Sequence, residues 1–319
     1  MRVLFIDTVH PILWDGLMKD GHECIDGTML SRAEVLSQLS GIHGIVIRSR
    51  ITIDKAFIDA GTDLQFIARS GAGMENIDTT YASEKNVVCI HAPEGNRDAV
   101  GEHATGMLLM LLNNLGKANA EVRQGIWNRE GNRGVELKGK TVGLIGYGNM
   151  GRAFAQRLSG FGCRVMAYDK YLKDWPDDYT ERASMEVIHR DADIVSLHVP
   201  LTDETHYLVS SAWIARFSKP VIIINTSRGS CLNIAQLTEV MKSGRVIGAC
   251  LDVLEYEDTS FEKFRIKDSL FEQSPEWQYL INSDRVVLSP HVAGWTVESY
   301  EKLSAVLLEK IRHHFPAVH

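Results

Sequence analysis

Three polar residues in the second half of the sequence could act together on a hydroxy acid. They are Arg228 in Asn225-Thr226-Ser227-Arg228-Gly229, Glu257 five residues after Asp252, and His291 in Ser289-Pro290-His291. A guanidinium binds a carboxylate through paired hydrogen bonds, and an imidazole exchanges the proton that accompanies hydride transfer. A carboxylate behind the imidazole orients and charges it. Each residue alone is equally compatible with a surface, loop or turn position, but the combination predicts an oxidoreductase.

A glycine-rich turn indicates which cofactor this chemistry would use. The motif Gly146-Tyr147-Gly148-Asn149-Met150-Gly151 follows a β-forming run at 141–145 and opens a helical pattern. The first glycine permits a tight turn, the second allows close approach to a pyrophosphate, and the third allows close helix packing. The amides of Asn149 and Met150 would lie at a helix N-terminus, which favours an anion. The motif predicts a dinucleotide site.

Asp169 indicates the type of dinucleotide. It ends the next β-forming run, at 165–168, and lies 18 residues after Gly151. A carboxylate at this place accepts hydrogen bonds from the ribose hydroxyls and repels a 2′-phosphate. The sequence therefore predicts NAD rather than NADP.

The elements that must position these residues form an alternating pattern. β-forming runs occur at 3–6, 44–47, 64–68, 87–90, 141–145, 165–168, 194–197, 221–224, 246–249 and 286–288, and helical patterns separate most of them. This alternation predicts parallel βαβ units. Ligand-binding residues of such sheets gather at the carboxyl ends of the strands, which is where Arg228, Glu257 and His291 fall.

Four further segments carry structural signals. The pair Ser31 and Glu34 has capping-box spacing, and Asn233 with Gln236 repeats it. We expect one long helix over 100–122 and an amphipathic helix over 297–315. The charged, aromatic stretch 255–284 predicts a long loop region with short helices at most.

Composition limits the classes of protein that need be considered. The chain has 319 residues, 45% hydrophobic and 24% charged, with a net charge of −7, which fits two soluble globular domains without an electrostatic reason to bind nucleic acid or an anionic membrane. The longest apolar stretch, 104–112, is too short to span a bilayer. Five cysteines without a C-x-x-C motif predict a reducing compartment, the cytoplasm, and no metal site.

The sequence resembles the D-isomer-specific 2-hydroxyacid dehydrogenases over essentially its whole length, and the phosphoglycerate dehydrogenases among them. The resemblance is carried by segments at 137–148, 197–202, 225–229, 251–253 and 289–291. It implies an α/β fold with two doubly wound parallel-sheet domains. A Rossmann nucleotide domain, residues 98–292, would be inserted into a flavodoxin-like substrate domain formed by residues 1–97 and 293–319.

The family also implies roles for individual residues. Arg228 would bind the substrate's carboxylate and carbonyl, His291 would be the acid and base, and Glu257 would be its partner. The cofactor contacts outside the glycine turn would come from Pro200, Thr226, Ser227, Asp252 and Gly294, and the substrate contacts from Arg48, Ser49, Ala72 and Gly73. The long helix after residue 100 would build a homodimer interface, as it does in relatives.

The substrate is the least determined property. Arg48 and Arg50 follow the run 44–47, and alternation along an extended chain would send both to the same side, where they could face one anionic group. An Arg-Ser-Arg here resembles phosphoglycerate dehydrogenases more than lactate-type enzymes, which favours 3-phosphoglycerate. The opposing interpretation is that one or both arginines pair with acidic residues of the domain surface.

Other functions stay open at this stage. A glyoxylate/hydroxypyruvate or lactate-type reductase would share the same site, and so would an NAD(H)-sensing binding protein similar to the C-terminal-binding-protein corepressors. Formate dehydrogenases have an amide where Glu257 stands. The sequence also departs from the family at Asp258, where proline is usual, and in the length of the stretch 258–284.

Overall fold

The chain forms two compact units. The computed structural model describes residues 1–175, 177–257 and 270–316. The first unit comprises Met1–Arg97 with a C-terminal segment that begins at Trp295, and the second comprises Asp98–Glu257 with a segment that ends at Gly294. Asp258 and the following residues up to 269, where the sequence departs from the family, lie outside the described residues.

The first unit is built on a five-stranded parallel sheet. Its strands are β1 (Arg2–Phe5), β2 (Glu23–Asp26), β3 (Gly44–Ile47), β4 (Phe66–Arg69) and β5 (Val88–His91), and its first helices are α1 (Pro11–Lys19), α2 (Arg32–Ser37), α3 (Lys55–Ala60) and α4 (Thr79–Glu84). The strand order is β2-β1-β3-β4-β5, the doubly wound order of flavodoxin-like domains.

The second unit holds a seven-stranded parallel sheet. Its strands are β6 (Thr141–Ile145), β7 (Arg164–Tyr168), β8 (Glu181–Arg182), β9 (Ile194–Leu197), β10 (Val221–Asn225), β11 (Val246–Leu251) and β12 (Val286–Leu288). Its helices are α5 (Pro93–Leu112), which starts before the unit boundary, α6 (Leu115–Arg123), α7 (Asn149–Leu158), α8 (Met185–Asp191), α9 (Ser211–Ile214), α10 (Ile234–Lys242) and α11 (Pro275–Ile281). The order β12-β11-β10-β9-β6-β7-β8 reverses beside β6, as in Rossmann domains. The predicted α/β class with two parallel sheets is confirmed.

The last helix, α12 (Val297–His314), belongs to the first unit. Its apolar face buries Leu307, Leu308 and Ile311 in the core that also contains Leu13 and Leu17 of α1. The two helices approach so closely that a Cβ added at Gly16 would lie 2.2 Å from Leu308 Cδ2. Packing of this amphipathic face returns the C-terminal segment to the domain where the chain began.

The prediction of one long helix over 100–122 is wrong. The chain forms α5 and α6 there, separated at Asn113 and Asn114. Asn114 adopts a left-handed conformation with φ of 52°, which asparagine tolerates better than most residues. The apolar periodicity continues across the break, so periodicity alone did not indicate it.

The other helix signals identify real helix ends. The predicted capping box at Ser31 and Glu34 is formed, and the Asn233 side chain accepts from the Gln236 amide at the start of α10. The edge strand β2 was missed because its sequence, Glu-Cys-Ile-Asp, is half polar and only partly buried. Within the described ranges, no helix combines the length and the apolar character that crossing a membrane requires.

Candidate active site

The three predicted catalytic residues follow three neighbouring strands of the second unit. β10 pairs in parallel with β11, and β11 pairs in parallel with β12. Arg228 follows β10, Glu257 follows β11 and His291 follows β12. Because parallel strands end at one edge of a sheet, all three residues come from loops at that edge.

His291 and Glu257 form a direct pair. His291 Nδ1 lies 2.6 Å from Glu257 Oε2, and the side chains are 25% and 14% exposed. The other carboxylate oxygen of Glu257, Oε1, accepts the backbone N–H of Leu254. The carboxylate is therefore held on both sides, and a proton on Nδ1 leaves Nε2 as the nitrogen that can exchange a proton with a ligand.

Arg228 is held in a loop that touches the Glu257 loop. Its carbonyl accepts a hydrogen bond of 3.0 Å from Asn225 Nδ2, and its own Nη1 donates to Ser227 O at 2.6 Å. At the next residue, a Cβ added to Gly229 would lie only 1.9 Å from Leu254 O. The glycine is required for this close approach of the two loops, a role that the sequence analysis did not recognise.

Asp252 organises the loop that carries His291. The side chain is 1% exposed, and its carboxylate accepts from Ser289 Oγ at 2.6 Å and from the amides of Val292 and Ala293 at 2.9 Å each. Its carbonyl accepts the His291 amide at 2.7 Å. The sequence analysis expected Asp252 to contact the nicotinamide; the structure adds that this residue fixes the loop of the catalytic histidine.

The glycine turn between β6 and α7 has the geometry that the motif predicts. Gly146 has φ of +92°, and a Cβ there would lie 2.4 Å from His198 O. A Cβ on Gly151 would lie 2.4 Å from Gly146 O, whereas none of the described residues has a heavy atom within 4 Å of a Cβ built on Gly148. Gly148 caps α7, so the amides of Asn149 and Met150 lie in its first turn.

The carboxylate of Asp169 is fixed by three backbone amides. Oδ2 accepts from Tyr147 N at 2.8 Å, and Oδ1 accepts from Tyr171 N at 2.9 Å and Leu172 N at 3.0 Å. Tyr147 is fully buried and its ring stacks on Trp175 with centroids 4.7 Å apart. The acceptor at the end of β7 is therefore preorganised beside the glycine turn.

The remaining predicted cofactor residues follow the strands β9, β10 and β12. Thr226 Oγ1 is buried and finds no hydrogen-bond partner among the described residues, while Ser227 Oγ donates to Asn225 Oδ1 at 2.8 Å. Pro200 O accepts from Thr205 Oγ1 at 2.6 Å, and Gly294 follows the Asp252-bound loop. These residues stay predictions as cofactor contacts.

His198 and Cys231 lie in the same region and are poor proton carriers. Burial lowers the pKa of His198 to about 3, and its Nε2 lies 2.9 Å from Ser196 Oγ. Burial likewise raises the pKa of the Cys231 thiol. Both groups are neutral near pH 7, so they leave the acid-base role to His291. In the part of the chain that the structure describes, no group of three or more His, Cys, Asp or Glu side chains could hold a metal ion.

In the first unit, Arg48 and Arg50 do not share one environment, which corrects the expectation from alternation. Arg50 Nε bonds Asp7 Oδ1 at 3.1 Å, and its terminal nitrogens donate to carbonyls that include Leu30 O at 2.6 Å. The Arg48 guanidinium instead stacks 4.2 Å from the centroid of the Trp295 ring. The alternation fails because β3 ends at Ile47, and buried Asp7 fixes the backbone of both arginines.

The other predicted substrate residues lie in two loops of this unit. Ser49 is 5% exposed and its hydroxyl has no partner among the described residues. Ala72 O lies 2.6 Å from His91 Nδ1, which holds the loop that also contains Gly73. Substrate binding by these residues stays a prediction.

The second unit fits NAD on three observations. The turn at Gly146 is built so tightly that a side chain would clash, the first turn of α7 presents amides beside Gly148, and Asp169 is held ready as an acceptor. A buried, unpartnered hydroxyl at Thr226 adds a polar group on the same sheet edge. The residues present therefore suit a dinucleotide pyrophosphate and an adenosine ribose.

Comparison with known proteins gives a consistent result. The model of the family described as "D-isomer specific 2-hydroxyacid dehydrogenase, NAD binding domain" matches residues 105–293, more than half of the chain. A hydroxypyruvate reductase of Thermotoga maritima is 34% identical over 88% of this chain and 88% of its own length. A D-3-phosphoglycerate dehydrogenase of Archaeoglobus fulgidus is 31% identical over 98% of this chain, which spans only 56% of that protein.

A crystal structure of a protein from Thermus thermophilus superimposes with a TM-score of 0.80, at 29% identity, covering 97% of this chain and 95% of that one. Its fold, the family match and the geometry of both sites agree. The chain therefore belongs to the D-isomer specific 2-hydroxyacid dehydrogenases and is an oxidoreductase that uses NAD.

Proposed function

We propose that Arg228, His291 and Glu257 are the catalytic residues for interconversion of a small anionic D-2-hydroxy acid and its 2-oxo acid. The observation that carries the assignment is the 2.6 Å contact between His291 Nδ1 and Glu257 Oε2, beside a guanidinium on the neighbouring loop. A planar guanidinium suits the substrate carboxylate and polarises the carbonyl at C2. NAD, when bound, supplies or accepts the hydride.

His291 moves the proton of this reaction. During reduction its Nε2 gives a proton to the oxygen at C2, and during oxidation the neutral ring takes the proton of the C2 hydroxyl. Glu257 is an anion against Nδ1, so it orients the ring and stabilises the charged form that reduction requires. The proposed cofactor contacts are Gly146, Gly148, Asn149, Met150, Gly151, Asp169, Pro200, Thr226, Ser227, Asp252 and Gly294.

The proposed substrate is a C3 acid, with D-3-phosphoglycerate first and hydroxypyruvate, reduced to D-glycerate, second. Support for an anionic distal group comes from Arg48, whose guanidinium is held over Trp295, with Ser49, Ala72 and Gly73 as further contacts implied by the family. Because Arg50 is engaged by Asp7, one arginine rather than two is available for this role. Hydroxypyruvate is favoured by the Thermotoga maritima relative, which matches at nearly full length on both sides.

Kinetics with a pair of substrates tests this proposal. Wild type is assayed with 3-phosphoglycerate and D-glycerate as hydroxy acids and with hydroxypyruvate and NADH in the reverse direction. We expect Arg48→Ala to reduce kcat/KM for 3-phosphoglycerate about tenfold more than for D-glycerate, since it removes one charge-assisted contact to phosphate. Arg2→Ala, a surface arginine of the same unit paired with Glu23, is the matched control.

The results separate the candidate substrates and the candidate classes. Equal losses on both substrates would exclude the phosphate contact, and a wild type that prefers hydroxypyruvate over phosphorylated acids would select the second substrate. A screen in which no 2-oxo acid supports NADH consumption would reject the catalytic proposal and favour the NAD(H)-sensing alternative.

We also propose the cytoplasm as the compartment and a homodimer as the assembly. All five cysteines are free thiols, which suits a reducing environment. Five apolar side chains from α6 and the segment after it are about half exposed or more, with Trp127 at 80%; the others are Leu115, Val122, Ile126 and Val135. Such a surface suits a second copy of the chain. Light scattering of wild type and Trp127→Glu tests this, and a monomeric wild type at micromolar concentration would contradict it.

Residues 1–97 and 293–319 are proposed as the substrate-binding domain and residues 98–292 as the NAD-binding domain. The proposed substrate residues Arg48, Ser49, Ala72 and Gly73 belong to the first unit, and the glycine turn belongs to the second. Expression of 98–292 alone tests the division: we expect it to bind NADH without turnover.

A further inference from the structure

His103 is a polar residue inside the largely apolar helix α5, and its ring faces the loop of the catalytic histidine. Its Nε2 lies 2.9 Å from Ser289 Oγ and 3.5 Å from Asp252 Oδ1. The side chain is 28% exposed. His103 and Ser289 are 186 residues apart in sequence, so nothing local requires this contact.

The direction of the hydrogen bonds follows from the number of protons. Ser289 has one hydroxyl proton, and its Oγ lies 2.6 Å from Asp252 Oδ1, an acceptor that has no proton to give. The Met107 sulfur, 3.7 Å from the same oxygen, is a much weaker acceptor. The hydroxyl therefore donates to Asp252, and His103 Nε2–H donates to the hydroxyl. The chain runs from His103 through Ser289 to Asp252.

Asp252 passes this restraint to the catalytic loop. It accepts the amides of Val292 and Ala293 through its carboxylate and the amide of His291 through its carbonyl. His291 itself has φ of +53°, a left-handed conformation that costs a non-glycine residue free energy and persists only where the surroundings enforce it. The orientation of the His291 ring thus depends on hydrogen bonds that converge on Asp252.

We propose that His103 is a positioning residue for the reaction: by donating to Ser289 it fixes the Ser289–Asp252 bond and, through it, the left-handed backbone of His291. This inference rests on the proposed role of His291 for its kinetic consequence. It requires no contact of His103 with substrate or cofactor. It also identifies an Nε2–H donor as the property that the position needs.

Two substitutions of His103 separate the donor from the side chain. In His103→Gln the amide nitrogen stands the same number of bonds from Cα as Nε2 and can donate, whereas His103→Leu cannot; both residues are good helix formers. Ser289→Ala breaks the same chain one step further on. His313→Leu, at an exposed position of α12, is the matched control for loss of a histidine.

We expect His103→Leu and Ser289→Ala each to lower kcat for hydroxypyruvate reduction about tenfold, the size of one lost hydrogen bond to a charged group, and the double variant to lose no more than the worse single. His103→Gln and His313→Leu should stay within about threefold of wild type. The dissociation constant of NADH, from fluorescence quenching, should change less than twofold in all of them, because the glycine turn and Asp169 are untouched.

Hydrogen exchange by mass spectrometry provides a readout that needs no turnover. The peptide covering 289–293 should exchange faster in His103→Leu and Ser289→Ala and at the wild-type rate in His103→Gln. If wild type reduces no 2-oxo acid, the proposed function fails while this measurement still decides the positioning. Unchanged protection in His103→Leu, lost protection with unchanged kcat, or an equal loss in Gln and Leu would each overturn the inference.

Discussion

The close contact at Gly229 gives a sharp test of how the two catalytic loops depend on each other. In Gly229→Ala, the new Cβ would lie 1.9 Å from Leu254 O and 2.1 Å from Leu254 C. Contacts of a Cβ below 3.0 Å are essentially never observed, and the atoms it meets are backbone rather than a flexible side-chain end. The Arg228 loop and the Leu254–Glu257 loop must therefore separate by about 1 Å.

A displacement of this size can be converted into a rate. Misplacing a group by about 1 Å can cost roughly 100-fold in catalysis, which corresponds to about 2.7 kcal/mol of transition-state stabilisation. We expect kcat/KM of Gly229→Ala for hydroxypyruvate to fall by this factor. The dissociation constant of NADH should stay near the wild-type value because the glycine turn lies on a different loop.

The assay compares Gly229→Ala with Gly160→Ala. No described residue has a heavy atom within 4 Å of a Cβ at Gly160, and this glycine carries no positive φ, so we expect near-normal kinetics from it. Circular dichroism and thermal unfolding confirm that each variant is folded. A folded Gly229→Ala with activity within threefold of wild type would show that the two loops are not rigidly coupled and would refute the reasoning.

Three further predictions concern single side chains. Asp169→Ala should raise the efficiency with NADPH relative to NADH at least about tenfold, since it removes like-charge repulsion of the 2′-phosphate; a wild type equally efficient with NADPH would contradict it. Glu257→Gln should move the high-pH limb of the reduction profile to lower pH by about one unit, because the protonated His291 that reduction needs loses its anionic partner; an unmoved limb with retained activity would remove Glu257 from the pair. Arg228→Lys should raise KM for the 2-oxo acid and lower kcat, because a point charge replaces a planar fork, and normal kinetics with lysine would make the arginine a structural residue.

Much of the fold follows from local sequence patterns. Alternating β-forming runs and helical patterns predicted the two parallel sheets, and capping residues such as Ser31 and Asn233 identified helix starts. The break between α5 and α6 was not predicted, because the apolar stripe continues through Asn113 and Asn114 while the backbone does not.

The sequence by itself determined the chemistry: the glycine turn with Asp169, and the order of Arg228, Glu257 and His291 after three strands, are readable because each signal is local or lies at a strand end. Only the tertiary structure decided which neighbours these residues meet. Arg50 is held by Asp7 while Arg48 stacks on Trp295, and the link from His103 to Ser289 joins residues far apart along the chain. Such contacts depend on how helices and loops pack around the sheet, and neither spacing nor periodicity along the chain encodes that packing.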